Sequence, residues 1–105
     1  MVTPVFDKED VLQRLHDARN EILARGVLKL GLFGSFVRGN ADAESDVDFL
    51  VQFAPPMKCF DNFMSLSSLL EDVLRRPVEL VTTEAISPHM GPHILSEVEN
   101  VPLDE

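Results

Sequence analysis

Between Asp46 and Phe53 the chain alternates with a period of two. Val47, Phe49, Val51 and Phe53 fall on one face of an extended strand, and Asp46, Asp48, Leu50 and Gln52 on the other. The four large apolar side chains need a cover, while the two carboxylates at the start of the strand face away from it. This pattern calls for a sheet with helices packed on one face and an acidic opposite face left open.

The flanking sequence supplies the remaining elements. Val11, Leu12, Leu15, Ala18, Ile22 and Leu23 recur at helical spacing, so a helix is predicted over residues 8–25. Asp7 is its N-cap and Gly26 its stop. Val27 to Phe33 reads as a buried strand ending in the Gly34-Ser35 turn, with one helical turn over 36–40 and a polar loop over 41–45. Ala54-Pro55-Pro56 breaks the strand that begins at Asp46. Phe60, Phe63, Met64, Leu66, Leu69, Leu70, Val73 and Leu74 mark an amphipathic helix that stops at Arg75-Arg76-Pro77. Val78 to Val81 is a third strand, and Ser87-Pro88 opens a last helix. The tail after Glu99 is expected to be loose. The order helix, strand, strand, helix, strand, helix predicts an α+β fold of two layers, with one small mixed sheet.

At 105 residues the chain is expected to form a single domain, 1–105. Its net charge of −9 argues against duplex nucleic acid, whose phosphates it would repel, and suits divalent metals or a basic protein partner. One cysteine, Cys59, excludes an internal disulfide and a cysteine-rich zinc site, in keeping with a cytoplasmic location. No basic-then-apolar leader opens the sequence, and no apolar run approaches the roughly 20 residues that span a bilayer.

Asp46 and Asp48 lie two apart on a strand, so their backbones stand about 6.5–7 Å apart and their carboxylates can converge on shared ions. Magnesium takes oxygen ligands and keeps several waters, so two or three carboxylates plus substrate phosphates can hold it. A pair of such ions serves phosphoryl and nucleotidyl transfer. The Gly34-Ser35 turn offers backbone N–H groups, a hydroxyl, and no side chain at the glycine to hinder a phosphate. Arg38, three residues on, can add a charge-assisted donor. Each piece alone is common; their order on strand, turn and strand is far more specific.

The run from Gly34 through Ser35, Arg38, Gly39, Asp46 and Asp48 to Val51 closely resembles the signature of the minimal nucleotidyltransferases, small members of the polymerase-beta-like superfamily. The flanking element order and the segment Pro77 to Thr82 extend the resemblance over most of the chain. It implies that Gly34 and Ser35 contact a nucleoside triphosphate, that Arg38 supports it, and that Asp46 and Asp48 bind magnesium, with two ions expected. The family places a third carboxylate, commonly Asp, on the later strand; Glu79 stands there in this chain. Its acid group sits one methylene further out, which either preserves a metal ligand or general base, or misplaces it by about 1 Å. A solvated residue on an edge strand is the other reading of Glu79.

The resemblance further implies transfer of AMP from ATP to a hydroxyl, that of a tyrosine, on a small helical HEPN-type partner, so that the chain acts as an antitoxin. The chain contains no tyrosine and cannot modify itself at that residue type. Two alternatives remain: an antitoxin with a weakened site that neutralises its partner by contact, and a nucleotidyltransferase acting on a small molecule. Relatives of the latter kind generally carry an additional domain. His16, His89 and His93 have no third ligand to make a metal site and read as surface residues. Cys59 reads as a packing residue. Ser35 lacks a His or Asp placed to make it an acyl-transfer nucleophile.

Overall fold

The computed structural model describes residues 3–86 and 91–103. Asp7 caps the first helix as expected: its side chain accepts the Asp10 N–H at 2.8 Å, satisfying a donor that the first turn leaves free. That helix, α1 (Lys8–Asp17), does not continue to residue 25. At Ala18 the backbone relaxes to φ −100° and ψ 11°, and a short helix, α2 (Arg19–Ala24), follows. The Arg19 guanidinium donates to the His16 carbonyl at 2.8 Å, satisfying an acceptor beside the break. Ile22 stays buried, whereas Leu23, expected inward, faces solvent. Gly26 is the stop that the sequence suggests. It has φ +85°, and a Cβ there would overlap the Met57 side chain.

The strands are β1 (Val27–Phe33), β2 (Val47–Phe53), β3 (Val78–Thr82) and β4 (Glu99–Asn100). The helices α3 (Ser35–Arg38), α4 (Phe60–Leu74) and α5 (Gly91–Glu97) complete the order. The sheet runs β3-β2-β1-β4. β1 is antiparallel to both β2 and β4, while β2 and β3 are parallel, joined by the crossover through α4. The expected α+β architecture with a mixed sheet is therefore present. The expected helix start at Ser87-Pro88 lies outside the described residues.

The alternation of β2 does what its pattern requires. Val47, Phe49 and Val51 are fully buried and Phe53 nearly so, against Leu15 of α1, Ile22 of α2 and Leu66, Leu70 and Leu74 of α4. Each fully buried side chain of this size contributes about 1.5–3 kcal/mol. The stripe on α4 is narrower than its apolar residues suggest. At 100° per residue, Phe60 and Met64 point about 80° and 120° away from Leu70. Both are exposed, and Cys59, expected to pack, is exposed beside them.

Two features alter the sequence-based picture of the other face and the tail. Leu50, on the acidic side of β2, is buried, and a Cβ on Gly31 would overlap Val98 just beyond α5. The C-terminal segment thus covers part of the face opposite α1 and α4. The tail is also anchored rather than loose. β4 pairs Asn100 with Gly31 and Glu99 with Leu32, the Val101 N–H donates to the Leu30 carbonyl at 2.8 Å, and Val101 is buried. Pairing on the open edge of β1 satisfies groups the edge would otherwise leave free. No helix among the described residues is long and apolar enough to cross a membrane.

Candidate active site

The β2 register brings the acidic residues to one place. Asp48 pairs with Phe33 of β1 on one side and with Glu79 of β3 on the other. In parallel pairing, residues in register project to the same face, so Asp48 and Glu79 stand side by side on the face away from α1 and α4. Asp46 stands exposed one residue ahead of β2. Together with Phe33, Val81, Ala85, Ile86 and Ile94, Asp48 and Glu79 line a cleft of about 300 Å³. Larger surface hollows of about 400 Å³ occur elsewhere, but they do not gather these acids.

The crowding has an electrostatic consequence. Partial burial pushes the Asp48 carboxyl up to about 6 from 3.8; the hydrogen bond with Glu79, the Glu79 charge and the Asp46 charge push the same way, against the pull of Arg38. Glu79 is an exposed residue on an edge strand, and it is also the direct neighbour of Asp48. Among the described residues no three carboxylate, histidine or cysteine side chains are already gathered closely enough to hold a metal ion. The expected trio is a contacting pair, Asp48 and Glu79, with Asp46 apart from it.

Gly34 is held at φ +82°, and a Cβ there would overlap Asp48 Oδ2. Its lack of a side chain therefore makes room first for the Asp48 carboxylate, which packs onto the turn. The Gly34 carbonyl accepts the N–H groups of Val37 and Arg38, closing α3, and Gly39 ends it at φ +81°. Phe36 of α3 is buried in the core, so the turn is fixed from below. Ser35 is half-buried, and among the described residues its hydroxyl has no hydrogen-bond partner. The Gly34 N–H, by contrast, is already donated to Glu97 Oε1 at 2.9 Å. Arg38 Nη1 reaches the same carboxylate, at 3.0 Å to Oε1 and 3.2 Å to Oε2.

Two residues at the site escaped the sequence reading. Glu97 lies 63 positions from Gly34, and no local spacing marks it. Arg76 reads in sequence as part of a helix stop. It donates from Nη1 to the Asp42 and Ser45 carbonyls at 2.9 and 3.0 Å, and from Nε to the Val5 carbonyl at 2.6 Å. Its guanidinium also lies 5.2 Å from the centre of the Phe36 ring. Arg76 thus fastens the loop that carries Asp46 to α3, the helix that begins at Ser35. Within that loop the Asp42 N–H donates to Ser45 Oγ and the Glu44 N–H to Asp42 Oδ1. His93, exposed, approaches Glu97 at 3.9 Å.

Comparison with known proteins finds relatives over most of the chain. The family model described as "Polymerase beta, Nucleotidyltransferase" matches residues 7–101. The protein adenylyltransferase MntA of Thermococcus cleftensis is 35% identical over 91 residues, 86% of this chain and 91% of that protein. A solved structure described as a minimal nucleotidyltransferase superposes with a TM-score of 0.70 at 28% identity, over 90% of this chain and 95% of that one. A chain from the complex of tri-AMPylated Shewanella oneidensis HEPN toxin with MNT antitoxin superposes with a TM-score of 0.56 at 20% identity, over 86% and 71% of the two chains, a likeness of fold.

Proposed function

This chain belongs to the polymerase beta nucleotidyltransferase family, among its minimal members, and from that premise we propose that it transfers AMP from ATP to a tyrosine hydroxyl of a small helical HEPN-type partner, acting as an antitoxin. The observation that carries the reading is the row Asp48–Glu79 set against the Gly34-Ser35 turn. The adenylyltransferase name of the Thermococcus relative and the AMPylated toxin in the Shewanella complex support the choice of donor and acceptor.

The donor set is made of carboxylate oxygens, which suits magnesium; burial pushes the Asp48 carboxyl up, and the Glu79 and Asp46 charges that add to the push are what a cation would relieve. Asp46, Asp48 and Glu79 would hold the metal, with two ions expected. Bound there, magnesium supplies positive charge against the triphosphate and the developing charge of the transfer.

The chain's own groups do the rest. The Ser35 hydroxyl and the Arg38 guanidinium bind phosphate oxygens, while the cleft wall of Phe33, Val81 and Ile94 limits water. The acceptor oxygen forms a bond to the α-phosphorus, the bond from that phosphorus to the bridging oxygen breaks, and pyrophosphate leaves. The acceptor proton passes to a carboxylate at the mouth of the cleft, and Glu79, the more exposed of the contacting pair, is placed to take it.

A second reading, neutralisation by contact without transfer, draws on the exposure of Glu79 and on the separation of the three acids. Intact-mass measurement of a HEPN-type partner incubated with this chain, ATP and magnesium separates the two. Transfer adds one or more whole AMP units, and Asp46→Asn with Asp48→Asn abolishes the gain. No gain with wild type, together with full neutralisation by the double variant, would leave only the contact reading.

A further inference from the structure

Glu97 is the last residue of α5, and its side chain is only 16% exposed. One of its oxygens accepts both the Gly34 N–H and Arg38 Nη1, and the other also accepts from Nη1. A single carboxylate from the C-terminal helix is thus bonded to the two groups nearest the expected phosphate position. The Gly34 N–H is spent on this contact, so direct phosphate contact at the turn falls to Ser35 and Arg38. The attachment uses one nitrogen of Arg38. Among the described residues, Nε and Nη2 have no partner, and a guanidinium offers five N–H donors in a rigid fork.

Arg38 has a competing anion. The Asp48 charge lies close enough for the two to influence each other, and its carboxylate packs onto the same turn. A half-exposed arginine between two carboxylates settles where the geometry is best. Glu97 offers both its oxygens and is itself pinned by a backbone N–H, which holds its carboxyl below the usual carboxylate range, with Arg38 adding to the effect. Backed by β4, which follows within two residues, its position is fixed by the fold.

We propose that Glu97 is a positioning residue for the nucleotide: from the end of α5 it clamps the Gly34 N–H and one edge of the Arg38 guanidinium, holding the free edge of Arg38 toward the triphosphate and away from Asp48. The proposal rests on the reading of this site as an ATP site. It also gives β4 and α5 a part in substrate binding, since they carry the residue that sets the arginine.

The test is titration calorimetry of magnesium–ATP against wild type, Glu97→Ala, Glu97→Gln, Arg38→Ala and Arg38→Ala with Glu97→Ala, with Tm measured for each. Wild type binds, and Glu97→Ala weakens binding about tenfold, the scale of one oriented charge-assisted contact. Glu97→Gln keeps an acceptor for the Gly34 N–H but loses the charge that holds Arg38, so it weakens binding while Tm stays near wild type. In the Arg38→Ala background, Glu97→Ala changes affinity less than about twofold, because the group it positions is gone. Equal or tighter binding by Glu97→Gln would overturn the proposal, since Glu97 would then be competing with phosphate. An undiminished effect of Glu97→Ala without Arg38 would overturn it too. Failure of wild type and every variant to bind would instead overturn the ATP reading, and this proposal with it.

Discussion

Asp48→Asn in the metal-free protein is expected to remove a pH-dependent destabilisation. The Asp48 carboxyl goes from 3.8 to about 6 on folding. A folded-state pKa above the unfolded one means that the folded protein holds the proton more tightly. The stability this confers is complete below pH 3.8 and is lost as pH rises, levelling off above about 6. A fully desolvated group shifted this far would cost about 3 kcal/mol at neutral pH. Asp48 is partly open to the cleft, and solvent screening reduces the cost to about 1–1.5 kcal/mol. Asparagine keeps the shape and removes the charge, so the variant should be more stable than wild type by about that amount at pH 7.5 and nearly equal to it near pH 4. Urea unfolding with a chelator present, at several pH values between 4 and 7.5, measures the difference between the two proteins and cancels groups common to both. A stability difference that does not change over this range would refute the placement of Asp48 among unneutralised carboxylates. Magnesium should then stabilise wild type at pH 7.5 more than the variant, because it takes over the relief that the substitution supplies.

Gly34→Ala should cost at least about 2 kcal/mol in unfolding free energy, since an added Cβ meets Asp48 Oδ2 at φ +82°; a smaller loss would mean that the turn is free to move. Arg75→Gly should stabilise the chain by about 0.5–1 kcal/mol, because Arg75 ends α4 in the left-handed region at φ 58°. Arg76→Ala should lower stability by about 2–3 kcal/mol and Tm by roughly 10 °C, through loss of its three carbonyl contacts. Amide exchange in the 41–46 loop should rise with it, and unchanged exchange would contradict the role given to Arg76.

The sequence was most legible where one periodicity dominated. The period of two in β2 placed its apolar face against α1 and α4 and its acids on the far face. The Gly34-Ser35 turn and the pairing of Asp48 with Glu79 follow from strand order, which the spacing of the elements suggests. What stayed hidden depends on contacts distant in sequence. The 8–25 pattern does not reveal the break at Ala18, because Arg19 offsets it with a side-chain contact that no propensity registers. The tail after Glu99 is polar and short, so composition suggests looseness, yet it finds the open edge of β1. Glu97 and Arg76 look like ordinary charged residues until the chain folds. Besides Arg38 and the Phe36 ring, their partners are the backbone N–H of Gly34 and the backbone carbonyls of Val5, Asp42 and Ser45, groups that carry no signature in a sequence. The exposure of Phe60, Met64 and Cys59 follows from their angle on the helix or their place ahead of it, which a count of apolar residues overlooks.

Nucleotidyl transfer and phosphoryl transfer are told apart by which phosphorus moves. The most direct measurement incubates this chain with a HEPN-type partner, magnesium and ATP labelled at either the α- or the γ-phosphate. Adenylyl transfer at this site means that the α label enters the partner, that the γ label does not, and that Asp46→Asn with Asp48→Asn stops incorporation. Incorporation of the γ label, or α-label transfer that survives the double substitution, would contradict it.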